Sequence, residues 1–173
     1  TVPTATPTIE PTEEPKDELL PEGYSFVDIA SNGNNLVAMA KDEGRTVAQL
    51  CYSKDGGKTW TFNLRDNSKW VDVNGEEKAN VTAWDFATGL EWVLNFHKND
   101  SANTSMPLEM IQGAEEYYEY TKTLSAEEAQ ALTAGEGSKF REMVGIETPD
   151  DYTVVYHCTT PKPYFDTVAT YAC

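Results

Sequence analysis

From Gly23 onward the apolar residues come in short clusters cut by turn-forming residues, a pattern of strands rather than long helices. YSFVDIA, NLVAMA and TVAQLCYS are each expected as strands, separated by NGNN and KDEG, whose Asn, Gly and Asp favour tight turns. SKDGGKTWTFNLR then sets an Asp-Gly-Gly turn ahead of a strand, TWTFNL, in which Trp60 and Phe62 share one face. A turn at Asp66 to Ser68 precedes KWVDV, and Asn74-Gly75 signals a two-residue hairpin.

The period changes at Thr82, which reads as an N-cap with Asp85 as its capping-box partner. The helix WDFATGLEWVLNF is expected to carry Phe86, Leu90, Val93 and Leu94 along its apolar face. HKNDSANTSMP is small, polar and ends in proline, so a loop is expected. LEMIQGAEEYYEY reads as one helix with an acidic face. Ser125 with Glu128 caps a short helix, SAEEAQALT, and AGEGSKFREMVG adds a helical turn stopped by Gly145. ETPDDYTVVYHCTT gives a turn and then a strand of period two, ended by Pro161 and Pro163; YFDTVATYA opens another helix. The fold class is mixed α/β, of α+β type, with a strand-rich N-terminal part, a helical middle and a late strand.

Composition adds a tether and a charge. Thr1 to Lys16 reads TVPTATPTIEPTEEPK, without an aromatic residue, and its regularly spaced prolines remove backbone donors, so residues 1–20 are expected as an extended linker. Such linkers hold domains off a cell surface. The formal charge of −16, from 29 acidic and 13 basic side chains, repels phosphate backbones and anionic lipid, which argues against nucleic-acid binding. No apolar run approaches the ~20 residues of a membrane span.

Little in the chain points to catalysis or metal. Cys51, Cys158 and Cys173 form no CxxC; Cys51 and Cys158 lie in strand-like runs and are expected as buried free thiols, with at most one bridge among the three. His97 and His157 lack a Ser or Cys at a recognisable spacing and are expected to be structural. Glu115, Glu116 and Glu119, with Tyr117, Tyr118 and Tyr120, could hold a cation or sugar, but a solvated helix face accounts for them. GEG at Gly135 to Gly137 is too short for a phosphate loop. No enzyme activity, cofactor or metal is expected.

Two blocks carry a family likeness. DGGKTWTFNLRDNSKWVDVNGEEKANVTAWDFATGL, from Asp55, and GIETPDDYTVVYHCTTPKPYF, from Gly145, stand in order and at matching separation. They resemble the oligopeptide-binding type of extracellular solute-binding proteins, family 5, the capture components of bacterial ABC importers. Trp60, Phe62 and Trp70 are then expected to pack the strand-turn-strand unit, and Thr82 and Asp85 to cap the helix. The resemblance implies a truncated piece, residues 58–173, of one lobe of a class II periplasmic-binding-protein fold. It also implies a peptide ligand held by backbone hydrogen bonds, a membrane permease as partner, a monomer, and a place outside the membrane. The loop after the capped helix contributes to the cleft in that family, which makes Asn103, Thr104 and Ser105 the expected ligand contacts. The chain stops at Cys173 inside an expected helix, so a fragment lacking its second lobe is expected to bind peptide weakly.

A rival resemblance covers residues 23–60, within a strand-rich and blade-like segment expected over residues 21–60. SKDGGKTW matches the Asp-box of sialidase-like propellers, in which Ser53, Asp55, Gly57 and Trp60 stabilise a hairpin turn, and the strands before it resemble one blade. It implies a surface glycan-binding segment. A third reading takes the acidic helical middle as a docking surface for another protein.

Overall fold

A computed structural model describes residues 28–39, 51–99 and 104–169; the Thr/Pro-rich tether, Asn103 and Cys173 lie outside them. Eight strands and six helices follow in the order β1 (Asp28–Asn32), β2 (Asn35–Met39), β3 (Cys51–Ser53), β4 (Thr59–Asn63), β5 (Lys69–Val71), β6 (Glu77–Asn80), α1 (Ala83–Leu94), α2 (Ser105–Met110), α3 (Ala114–Lys122), α4 (Ala126–Gln130), α5 (Lys139–Met143), β7 (Ile146–Asp150), β8 (Thr153–His157) and α6 (Phe165–Ala169). Six strands make one antiparallel sheet in the order β1-β2-β3-β4-β8-β7, and β5-β6 form a separate hairpin. The strand-rich beginning and the late strands thus share a sheet, joined where β4 pairs with β8 from Thr59↔His157 to Asn63↔Thr153.

The inner face of that sheet presents Cys51, Trp60, Phe62, Val154 and Tyr156, and α6 and the helices of residues 83–143 pack over it. Trp60 is fully buried, with its indole N–H donating to the Lys162 carbonyl at 3.0 Å. Phe62 stacks edge-on against Tyr156 and Phe165. Trp70, expected beside them, is instead 52% exposed on the two-stranded hairpin, because β5 belongs to a sheet that covers none of this core. Cys51 and Cys158 are both buried, and burial pushes the Cys158 thiol up to about 11.

The turn before β4 is built from the residues of the Asp-box. The Ser53 hydroxyl donates to Asp55 Oδ1 at 2.9 Å and accepts the Gly57 N–H at 2.9 Å; Asp55 Oδ1 also accepts the N–H groups of Lys58 (3.0 Å) and Thr59 (2.8 Å). Gly57, at φ +90°, lies against the backbone of Lys162, and a Cβ there would come within 2.8 Å of the Lys162 carbonyl carbon. Burial alone raises the Asp55 pKa, but hydrogen bonds from the Thr59 N–H and hydroxyl, then from Ser53 and Lys58, hold it below the ordinary 3.8.

Three sequence expectations are revised. LEMIQGAEEYYEY is two helices, because Gly113 takes φ +69° against the Met143 carbonyl, while Ile111 bridges to Cys158. The expected loop 97–107 ends early, with α2 starting at Ser105 and accepting Pro107 in its first turn, where no N–H is needed. The turn expected ahead of β8 contains a further strand, β7. Its Pro149 suits an edge position, and Ile146 there turns its backbone away from β8: its N–H donates to Val144 and its carbonyl accepts from Arg141 Nη1 at 3.1 Å. Gly145, expected as a helix stop, lies one residue past the α5 C-cap Val144 and hydrogen-bonds with Gln112 and His157.

Two outcomes follow from this geometry. Gly113→Ala puts a Cβ 1.7 Å from the Met143 oxygen in a left-handed conformation, so urea unfolding should show a loss of roughly 3 kcal/mol or more. Asp55 has a depressed folded pKa, so its contribution is full above 3.8 and is lost as pH falls through the folded value. Asp55→Asn should therefore lower the urea midpoint at pH 7, and the gap to wild type should close progressively below pH 3.8.

Candidate functional site

Helix α1 organises the described surface. Asp85 accepts the Thr82 N–H at 2.7 Å and the Thr82 hydroxyl at 3.2 Å, which fixes the start of the helix. Its buried stripe is Ala83, Ala87, Glu91 and Leu94, rotated from the face read in the sequence. Leu94 belongs to the core, Leu90 packs at its margin, and Phe86 is 40% exposed. The apolar arc of α1 is wider than its own core uses.

The unused part lines a groove of about 370 Å³. Trp70 and Val81 form one wall from the hairpin side; Phe86, Leu90 and Val93 form the other, with Tyr156 of β8 at its floor and Asp85 as the one charged neighbour. A second hollow of about 90 Å³ shares Leu90 and Tyr156 and runs between α2 and α6, lined by Met106, Pro107, Ile111, Phe165, Val168 and Ala169. Sharing these two residues, the two hollows adjoin as one apolar trough across the helical side. A trough of this kind takes apolar polypeptide by desolvation.

The expected ligand contacts fall at its α2 end. Thr104 is the half-buried N-cap of α2 and Ser105 is its exposed first residue, directly ahead of Met106 and Pro107 in the second hollow. Neither lines the trough, and Asn103 is outside the described residues. Sequence reasoning missed Trp70, Phe86, Val93 and Tyr156 as a joint surface. The available signal was that arc on α1, together with three exposed apolar residues, Trp70, Val71 and Val73, on one small hairpin.

The clusters around Glu91 and Arg141 are internally satisfied. Glu91, 2% exposed, accepts from Asn95 (3.0 Å) and the Tyr117 hydroxyl (2.8 Å) on one oxygen and pairs with Lys98 at 2.8 Å on the other. Lys98 also donates to the Leu132 carbonyl, so this hub joins α1, α3 and the end of α4. Burial, then the Glu91 carboxylate, lifts the Tyr117 hydroxyl far above the ordinary range and keeps it a donor. Arg141 donates to the carbonyls of Ala134 and Ile146 and to the Thr148 hydroxyl, stacked 4.7 Å from the Trp84 ring centre. Burial draws its pKa down, against the opposing charges of Glu136 and Glu147. Glu115, Glu116 and Glu119 stand on the exposed face of α3, while Tyr117 of the same cluster turns inward. Among the described residues no group of His, Cys, Asp and Glu could hold a metal ion, and no helix is long and apolar enough to cross a membrane.

Residues 39–172 match the bacterial extracellular solute-binding proteins, family 5 Middle. The oligopeptide-binding protein AmiA of Streptococcus pneumoniae is 28% identical over 162 residues, covering 90% of this chain and 21% of AmiA. The periplasmic oligopeptide-binding protein OppA of Haemophilus influenzae is 36% identical over 107 residues, covering 62% of this chain and 16% of OppA. Among solved structures, the unliganded open form of the periplasmic murein tripeptide-binding protein MppA superposes with a TM-score of 0.50 at 22% identity, over 73% of this chain and 21% of that one. That last likeness is one of fold. The chain spans about a fifth or less of the length of these curated relatives. The family match runs from the end of β2 past α6 and takes in the Asp-Gly-Gly turn, the capped helix and the β7–β8 hairpin, and on that ground the chain belongs to the bacterial extracellular solute-binding proteins of family 5.

Proposed function

We propose that this chain is part of the peptide-capturing component of a bacterial ABC importer, working outside the cytoplasmic membrane and handing its ligand to a membrane permease. The observation that carries this reading is the family match over residues 39–172, joined to relatives whose names state oligopeptide binding. The role is binding without catalysis: the buried carboxylate, the guanidinium and the tyrosine are each committed to holding helices and strands together. The protein works as a monomer, since a charge of −16 on each copy opposes self-association. Residues 1–20 tether it to the cell surface. Asn103, Thr104 and Ser105 contact the ligand main chain, a reading supported by the place of Thr104 and Ser105 at the head of α2 beside the second hollow.

Titration calorimetry against a mixed pool of short peptides, with sialyl-lactose as the control, tests this. The expected result is heat from peptides alone, with a weak Kd of about 0.1 mM or above, because capture between lobes uses more polypeptide than this chain spans. Replacing Thr104 and Ser105 together by Ala should weaken it further. Heat from the sugar and none from the peptides would overturn the assignment.

A further inference from the structure

The tip of the β5–β6 hairpin joins an asparagine to a glycine, a pair that can react with itself. The Gly75 N–H donates to the Asp72 carbonyl at 3.0 Å, and the Asp72 N–H donates to the Glu76 carbonyl at 3.0 Å. The loop is therefore Val73 to Gly75, one residue longer than Asn74-Gly75 alone signals. Val73 and Asn74 keep negative φ, and Gly75 follows at φ +82° as the extra, bulged residue. Val73 and Asn74 are exposed, and a Cβ on Gly75 would meet nothing within 4 Å, so packing does not fix the tip. One carboxylate does. Asp72 Oδ1 accepts the N–H groups of Asn74 (2.9 Å) and Glu76 (3.0 Å), and Asp72 Oδ2 pairs with Lys78 at 2.9 Å.

Asn-Gly is especially open to intramolecular attack, because glycine puts no side chain in the way. The Gly75 nitrogen adds to the Asn74 side-chain carbonyl carbon and forms a C–N bond, and the side-chain amide leaves as ammonia, taking the Gly75 N–H proton. Water then opens the cyclic imide at either carbonyl. Position 74 is left as an aspartyl residue or as an isoaspartyl one, which carries an added backbone methylene. Attack needs a Gly75 nitrogen released from its hydrogen bond and an Asn74 backbone rotated out of the turn. The Asp72 clasp withholds both. We propose that Asn74 is a site of spontaneous deamidation, and that Asp72 sets how fast it converts by holding the turn shut. An isoaspartyl product lengthens the turn and adds a negative charge beside Asp72 and Glu76, so conversion loosens the hairpin whose Trp70 walls the groove.

The test follows conversion in the whole 173-residue chain during incubation at mildly alkaline pH, read by tryptic digestion and mass spectrometry. Cleavage after Lys69 and Lys78 isolates Asn74, while the chain's other Asn-Gly pair, Asn32-Gly33, falls in a separate fragment and serves as the internal reference. Asn74 should convert about tenfold more slowly in the folded chain than in a synthetic peptide of residues 70–78. Asp72→Ala should remove most of that protection, measured against a peptide bearing the same change, and leave the rate at Asn32 as it was. Asp66→Ala, at an exposed acid ahead of the hairpin, should leave both rates unchanged. Conversion at Asn74 in the folded chain as fast as in the peptide would overturn the proposal. So would protection that survives Asp72→Ala, acceleration at Asn32 to the same extent, which would make the protection one of the whole fold, or no isoaspartyl product in the variant and the peptides.

Discussion

Strand β4 reaches its partner β8 only after helices α1 to α5 have been threaded between them. Residues 64–152 are the content of the loop that the Thr59↔His157 to Asn63↔Thr153 ladder closes. That closure costs chain entropy before it returns any contact, so it needs strong local help at both ends. At one end the Asp55 turn delivers β4 in the right direction, with Trp60 beneath it. At the other, the Asp150–Thr153 turn folds β7 back on β8, its Asp150 carboxylate accepting from the Tyr152 N–H and the Thr153 hydroxyl. Lys162 and Trp60 then lock the return segment to the turn, and the close approach of backbones at Gly57 leaves no room for a side chain.

The helical layer is held by a different kind of constraint. In a chain this acidic, the Glu91 carboxylate is taken fully inside and surrounded by three donors from two segments: Asn95 and Lys98 after α1, and Tyr117 on α3. Such a hub fixes the relative placement of helices because each donor is useful only in one arrangement. Arg141 does the corresponding work on neutral acceptors, tying the loop before α5 to β7 with three directed N–H bonds and a face on Trp84. The exposed pairs, such as Lys122 with Glu119 and Lys139 with Glu142, lie in water and hold little by comparison.

Local chemistry was legible and tertiary choice was not. Caps and turns announce themselves over four or five residues, so Thr82–Asp85, Ser125–Glu128 and SKDGGKTW could be placed from the sequence, with the geometry they imply. The buried side of α1 could not, since Ala83 and Ala87 carry no strong hydrophobic signal and yet meet the core, whereas the larger Phe86 is left at the trough. Ile111 to Gly113 read as helix because nothing nearby reveals that the chain must bend there to pass Met143 and pair with Cys158. β7 was hidden by its proline, which marks an edge only once the neighbour is known. The trough was out of reach for the same reason: its lining comes from the hairpin side, α1, α2, β8 and α6, which meet only in the fold.

The far side of the sheet carries a consequence of its own. Along β7 the outward-facing groups of Ile146 are already taken by Val144 and Arg141, and Pro149 has no N–H to offer. At these positions the border offers a neighbouring strand no free group to pair with, which blunts it against templated growth. Arg141 thus acts there as a guard as well as a brace, since its removal would free the Ile146 carbonyl for a neighbouring strand.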